Sequence, residues 1–156
     1  MRKVLANLLS SVYGGQILRI YPQRNCREGY IFREGYNEEE DFDDLISIIG
    51  DFKELVVLPN VWTEVDNILN NFTGHYKVKY IEQLTKTIKL TTEKFLESKL
   101  ATQSIGFYDL GLTDSLMLEY SKECDILITS DSRLSDYARA SGIKVFDLVK
   151  NRNERI

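Results

Sequence analysis

The chain has 156 residues, 43% of them apolar and 28% charged, a length that fits one domain built on one core. Its longest aliphatic runs, such as Leu55-Val56-Val57-Leu58, fall far short of the about 20 residues of a membrane span, and no basic stretch followed by an apolar one opens the chain as a secretory leader would. The net charge of −4 speaks at first against a nucleic-acid partner, but that average hides blocks of opposite sign.

Residues 1–36 carry six Lys/Arg against two Glu. Across 10–37 periodicity is weak and turn formers are frequent, including Gly14-Gly15 and Pro22. Arg27-Glu28-Gly29-Tyr30 recurs there as Arg33-Glu34-Gly35-Tyr36. The stretch is expected to be an irregular or hairpin insertion with aromatic packing. Its alternative use, with Tyr13, Tyr21 and Phe32 set among arginines, is stacking and pairing with RNA.

Residues 37–73 hold ten acids against Lys53 alone. Glu38-Glu39-Glu40 leads into Phe42, Leu45, Ile46 and Ile49, the spacing of an amphipathic helix with acids in its first turn and Gly50 as its stop. Residues 55–58 read as a buried strand that ends at Pro59. A helix from about Asn60 places Val61, Val65 and Ile68 on one stripe, until Asn70-Asn71 and Gly74 close it.

Residues 74–100 return to six lysines against three glutamates. The spacing predicts one long helical region over 76–100, with Ile81, Leu84, Ile88 and Phe95 as its apolar stripe. Lys77, Lys79, Lys86 and Lys89 then form a solvated face, with a binding surface as the alternative. Residues 112–120 read as a mostly buried helix with Thr113 as N-cap.

The last third predicts a strand over 126–129, a helix over 132–141 stopped by Gly142, and a strand over 143–146. Strand, ten-residue helix and strand make a βαβ unit, hence a parallel pair and an α/β layered domain. That domain is expected to span 1–150, with 151–156 as a polar tail. No Gly-x-Gly-x-x-Gly and no Gly-Lys-Ser/Thr loop occurs, which removes the usual dinucleotide and P-loop signatures.

In parallel α/β sheets, sites lie beyond the carboxyl ends of the strands. Three acids fall there. Asp131 comes just after the strand 126–129. Glu64 lies one and a half turns into the helix after strand 55–58, at i+3 from Val61 and i−4 from Ile68, which predicts an inward orientation. Asp114 stands in the first turn of an otherwise apolar helix (Leu116, Met117, Leu118) and is expected to be half-buried.

Acids gathered near a core need a counter-charge. Hard oxygen ligands select Mg²⁺ or Mn²⁺ over zinc, and such an ion activates water and stabilises the leaving oxygen of a phosphodiester. Each acid also has a plain structural role open to it: a dipole charge for Asp114, a helix cap for Asp131, a surface position for Glu64. His75, the single histidine, sits beside Gly74 in an expected loop and makes neither a triad nor a zinc site. Cys26 and Cys124 lack Cys-x-x-Cys spacing and read as free thiols of a reducing cytoplasm. Asp109 and Asp125 are expected to be loop and strand-end charges, or support for the acids.

These residues carry a family resemblance. The segments Gly111-Leu112-Thr113-Asp114-Ser115, Asp125-Ile126-Leu127-Ile128-Thr129-Ser130-Asp131-Ser132-Arg133-Leu134 and Ala140-Ser141-Gly142-Ile143-Lys144-Val145 resemble the C-terminal half of a PIN domain. Pro59-Asn60-Val61-Trp62-Thr63-Glu64-Val65 is similar to the segment bearing that family's second acid. Order, spacing and βαβ context agree over about residues 38–150. The resemblance implies an α/β/α sandwich with a central parallel sheet, and a Mg²⁺- or Mn²⁺-dependent ribonuclease of the kind found in toxin–antitoxin systems and RNA processing. It implies that Glu64, Asp114 and Asp131 are metal-site acids and that the hydroxyl of Thr129 supports them.

PIN domains open with a strand ending in Asp-x-Asn, whose Asp is the first metal ligand. Here the stretch is Lys3-Val4-Leu5-Ala6-Asn7-Leu8-Leu9. Asn7 fits the pattern as a supporting residue, while Leu5, or Ala6 after a one-residue slip, occupies the acid's place. Three expectations follow: a metal-dependent endoribonuclease weakened by that loss; a non-catalytic PIN-like module binding RNA or a partner protein; and, compatibly with the first, a toxin-type subunit, dimeric and neutralised by an antitoxin.

Overall fold

The computed structural model describes residues 3–6, 44, 47–48, 54–70 and 73–154. Among the described residues five short strands form one sheet: β1 (Lys3–Ala6), β2 (Glu54–Val57), β3 (Thr92–Glu93), β4 (Ile126–Thr129) and β5 (Val145–Asp147). Their order is β3-β2-β1-β4-β5, and every pair is parallel. The aliphatic runs of β2 and β4 explain their interior places, since strands covered on both faces read as continuous apolar runs. All four β4 residues are buried. β1 lies in the centre, with Leu5 paired to Val56 on one side and to Leu127 on the other.

Among the described residues five helices have both ends placed: α1 (Pro59–Leu69), α2 (Gly74–Leu90), α3 (Phe107–Ser121), α4 (Ser132–Ala140) and α5 (Leu148–Asn153), with a 3₁₀ segment at Ser98–Gln103. The chain is a mixed α/β protein with a parallel sheet. Asp44, Ser47 and Ile48 are helical, within the helix expected over 38–49, whose other residues lie outside the described ones. The insertion expected over 10–37 also lies outside them.

Pro59 opens α1, where its fixed φ suits a first turn and its missing N–H costs nothing. The first helical bonds run from Val61 and Trp62 N–H to the Leu58 carbonyl. Val61, Trp62 and Val65 face the core. In α3, Leu116, Met117 and Leu118 are all at most 1% exposed. Three consecutive buried residues sweep about 200° of a helix, so α3 is enclosed on more than one side, as its composition predicted. Leu127 of β4 and Leu134 and Ala138 of α4 join the same cluster.

The βαβ unit forms, with its helix at Ser132–Ala140 and its second strand at Val145–Asp147 where 143–146 was expected. Its helix ends in a left-handed Gly142 (φ 76), with Ile143 N–H bonded to the Ala138 carbonyl and Gly142 N–H to that of Arg139. Those two bonds are the Schellman pattern that satisfies the last carbonyls of a helix.

Three local expectations are corrected. The helical region does not run through residue 100: α2 stops at Leu90, and Thr92-Glu93 adds an edge strand. The Thr91 hydroxyl turns back to the Thr87 and Ile88 carbonyls, and the β-branched pair Thr91-Thr92 favours extended backbone. Of the expected stripe only Leu84 is buried, while Ile81, Ile88 and Phe95 are exposed. His75 has helical backbone as the second residue of α2 instead of lying in a loop. Residues 151–153, read as the start of a polar tail, are the last turn of α5, which Asp147 caps by accepting from Lys150 N–H at 3.0 Å.

Candidate functional site

The order β3-β2-β1-β4-β5 reverses direction at β1, because the chain moves from β1 to β2 on one side and returns to β4 on the other. Such a reversal opens a crevice at the carboxyl ends of the two diverging strands. β4 ends at Thr129 and leads to Asp131, and β2 leads through Leu58 into α1, whose sixth residue is Glu64.

α3 approaches the same edge from the other direction. Gly111 (φ 75, ψ −167) breaks it, so the segment 112–121 is a separate ten-residue helix ending just before β4. At about 1.5 Å per residue it runs about 15 Å, comparable to the length of β4, and its start therefore lies at the level of the β4 carboxyl end. Asp114 is the third residue after the break and is half-buried, where a helix N-terminus favours a negative charge. The break at Gly111 puts Thr113 inside the first turn; this corrects its expected role as N-cap.

Asp131 is the N-cap of α4: its Oδ1 accepts from Leu134 N–H at 2.8 Å. Its own N–H donates to Oγ1 of Thr129 at 3.0 Å. Thr129 is fully buried, so this hydroxyl holds the strand-to-helix corner on which Asp131 stands. Asn7, the other supporting candidate, lies outside the described residues.

Glu64 is exposed, which corrects its inward orientation. The buried stripe of α1 is Val61, Trp62 and Val65, and at about 100° per residue its centre lies about 110° from Glu64. The expected stripe took Ile68 in place of Trp62 and so rotated the inward face toward the glutamate. Among the described residues, no three His, Cys, Asp or Glu side chains form a group that could hold a metal ion.

Carboxylate oxygens are hard ligands of the kind that Mg²⁺ and Mn²⁺ take. Mg²⁺ keeps several waters and is commonly held by one or two carboxylates together with substrate phosphates. Capping α4 also does not exhaust Asp131, because a carboxylate has about four acceptor sites.

Two further residues shape this end of the molecule. Tyr137 on α4 donates its hydroxyl to Oδ2 of Asp109 on the first turn of α3. That hydrogen bond, with burial and the Asp109 charge, pushes the phenol above its ordinary range. Asp147, at the end of β5 and in register with Thr129, is buried and lies 3.6 Å from Arg139. Its position directly after Val145-Phe146 and before Leu148-Val149 was a readable cap signal, whereas nothing in the sequence pairs Tyr137 with Asp109.

Among the described residues, no helix is long and apolar enough to cross a membrane. Compared with known families and curated proteins, the chain matches no family model and no curated protein.

Proposed function

We propose that the chain is a PIN-like, metal-dependent endoribonuclease working at the carboxyl edge of its parallel sheet. The observation that supports this reading is the sheet order: β1 is central, its neighbour β4 leads directly to Asp131, and its neighbour β2 leads into the helix that bears the exposed Glu64. Right-handed crossovers would set the helices between β1 and β3 on one face and those between β3 and β5 on the other. That arrangement would be the α/β/α sandwich that the resemblance implies.

In this reading Asp114 and Asp131, with Glu64 at the rim, supply carboxylate oxygens to Mg²⁺ or Mn²⁺. When bound, the ion lowers the pKa of a water and offsets charge on the leaving oxygen. Thr129 fixes the corner of Asp131, and Asp131 fixes the start of α4. Exposed lysines of α2, Lys86 and Lys89, offer phosphate contacts.

A second reading, a non-catalytic module that binds RNA or a partner protein, is favoured by one observation. The carboxyl end of β1 is Leu5-Ala6, with no acid where the family pattern has its first ligand. A toxin-type subunit, paired with an antitoxin and dimeric, is a narrower form of the first reading.

Incubation with structured and single-stranded RNAs plus Mn²⁺ separates the two main readings. Cleavage that is abolished by EDTA and by Asp114→Ala supports the nuclease. Cleavage that survives both overturns it. Salt-sensitive, metal-independent binding without cleavage establishes the second reading in its place.

A further inference from the structure

Two of the proposed metal acids stand on α4 and on the segment 112–121 of α3, and a side-chain hydrogen bond links α4 to the short turn just before that segment. It is the bond from Tyr137 on α4 to Asp109 on α3. Buried Gly106 packs beside the same contact: a Cβ there would meet Leu110 Cδ1 of its own turn at 2.6 Å and would stand in ordinary contact, at 3.4 Å, with Tyr137 Cδ1 on α4. The turn is also closed on itself, since Asp109 and Leu110 N–H both donate to the Gly106 carbonyl, at 3.0 and 2.8 Å. One residue beyond Leu110 the backbone breaks at Gly111, and Asp114 follows three residues later. Six residues before Tyr137, Asp131 caps the same α4.

We infer that Asp109 and Tyr137 are a positioning pair that sets where Asp114 stands relative to Asp131, and thereby the divalent-cation affinity of the sheet edge. The inference rests on the metal-dependent reading above. In this role neither side chain would be a ligand of the ion. The pair fixes the short turn 107–110 on α4, and that turn fixes the point at which the Asp114 helix begins. Groups that orient metal ligands without binding the metal commonly change its affinity about 10–100-fold when removed.

The test measures Mn²⁺ binding to the full chain by water-proton relaxation, at a temperature where thermal melts show each variant folded. Tyr137→Phe deletes the donor and Asp109→Ala the acceptor, while Asp109→Asn keeps an acceptor oxygen. The first two are expected to weaken Mn²⁺ binding about tenfold, and Asp109→Asn to stay within about twofold of wild type. A purely structural bond would lower the melting temperature and leave the affinity of the folded variants unchanged. That result overturns the positioning pair. Wild-type protein with no Mn²⁺ binding sensitive to Asp114→Ala overturns instead the metal-dependent reading on which the pair rests.

Discussion

Asp131 has two separable duties, and comparing its alanine and asparagine variants separates them. As N-cap it accepts the Leu134 N–H at 2.8 Å, and it anchors a helix whose Leu134, Ser135 and Ala138 are buried. Replacing an Asp cap by Ala costs about 1 kcal/mol, whereas Asn caps nearly as well. In a chain of this size about 1 kcal/mol lowers the melting temperature by about 3 °C. Asp131→Ala is therefore expected to melt about 3 °C lower, and Asp131→Asn within about 1 °C of wild type. Loss of a metal-site carboxylate acts differently. It should reduce Mn²⁺-dependent RNA cleavage at least about 100-fold in both variants, because the amide restores the cap without restoring the charge. Paired thermal melts and cleavage assays read the two effects independently. Wild-type cleavage by Asp131→Asn would reduce Asp131 to a cap alone, and equal destabilisation by Asn and Ala would refute the capping account.

Two other consequences concern stability. Gly142 has φ +76 and open space where a Cβ would go, so Gly142→Ala should cost about 1 kcal/mol from backbone strain alone, seen as a lower urea midpoint; an unchanged midpoint would contradict the left-handed cap. Tyr137 and Tyr120 both have phenols raised above the ordinary value, Tyr137 chiefly by the bond to Asp109 and Tyr120 chiefly by burial. Because the folded state holds these protons more tightly, their contribution is complete below pH about 10 and is lost as pH rises through the folded-state values. The stability advantage of wild type over Tyr137→Phe in urea should therefore shrink between pH 8 and pH 11, and a gap that widens would refute the assignment.

What the sequence made legible follows from how local each signal is. The β4–α4–β5 unit was readable because every part of it is short-range: an aliphatic run, an Asp cap, an apolar i, i+4 pair in Leu134 and Ala138, and a glycine stop. The end of α2 was not. Apolar residues continue at helical spacing through Ile88 and Phe95, and the competing influence is the edge pairing of Val56 with Thr92 and Val57 with Glu93, 36 residues apart. Glu64 was misoriented for a similar reason. Trp62 can lie on the core or at the surface, and counting it inside turns the stripe away from the glutamate. Contacts such as Tyr137 to Asp109, or Asn151 Nδ2 to Asp44 Oδ2 at 2.7 Å across 107 residues, leave no trace in local pattern.

The first strand joins both lessons. Lys3–Ala6 is too short and too ordinary to identify by composition, yet it is the strand against which β2 and β4 both pair. Its register bears on where the first carboxylate of a PIN-like site would stand. Leu5 is level with Leu127, which is fully buried, and Ala6 is level with Ile128, one residue short of Thr129. With a rise of about 3.3 Å per residue in a parallel strand, position 5 lies about 6.6 Å back from the level of Thr129 and position 6 about 3.3 Å. Of the two alignments that the sequence leaves open, the one through Ala6 therefore brings the missing acid closer to the edge where Asp131 begins. A carboxylate at position 5 would lie deeper in the sheet, level with a buried leucine on the neighbouring strand, where an unpaired charge is costly.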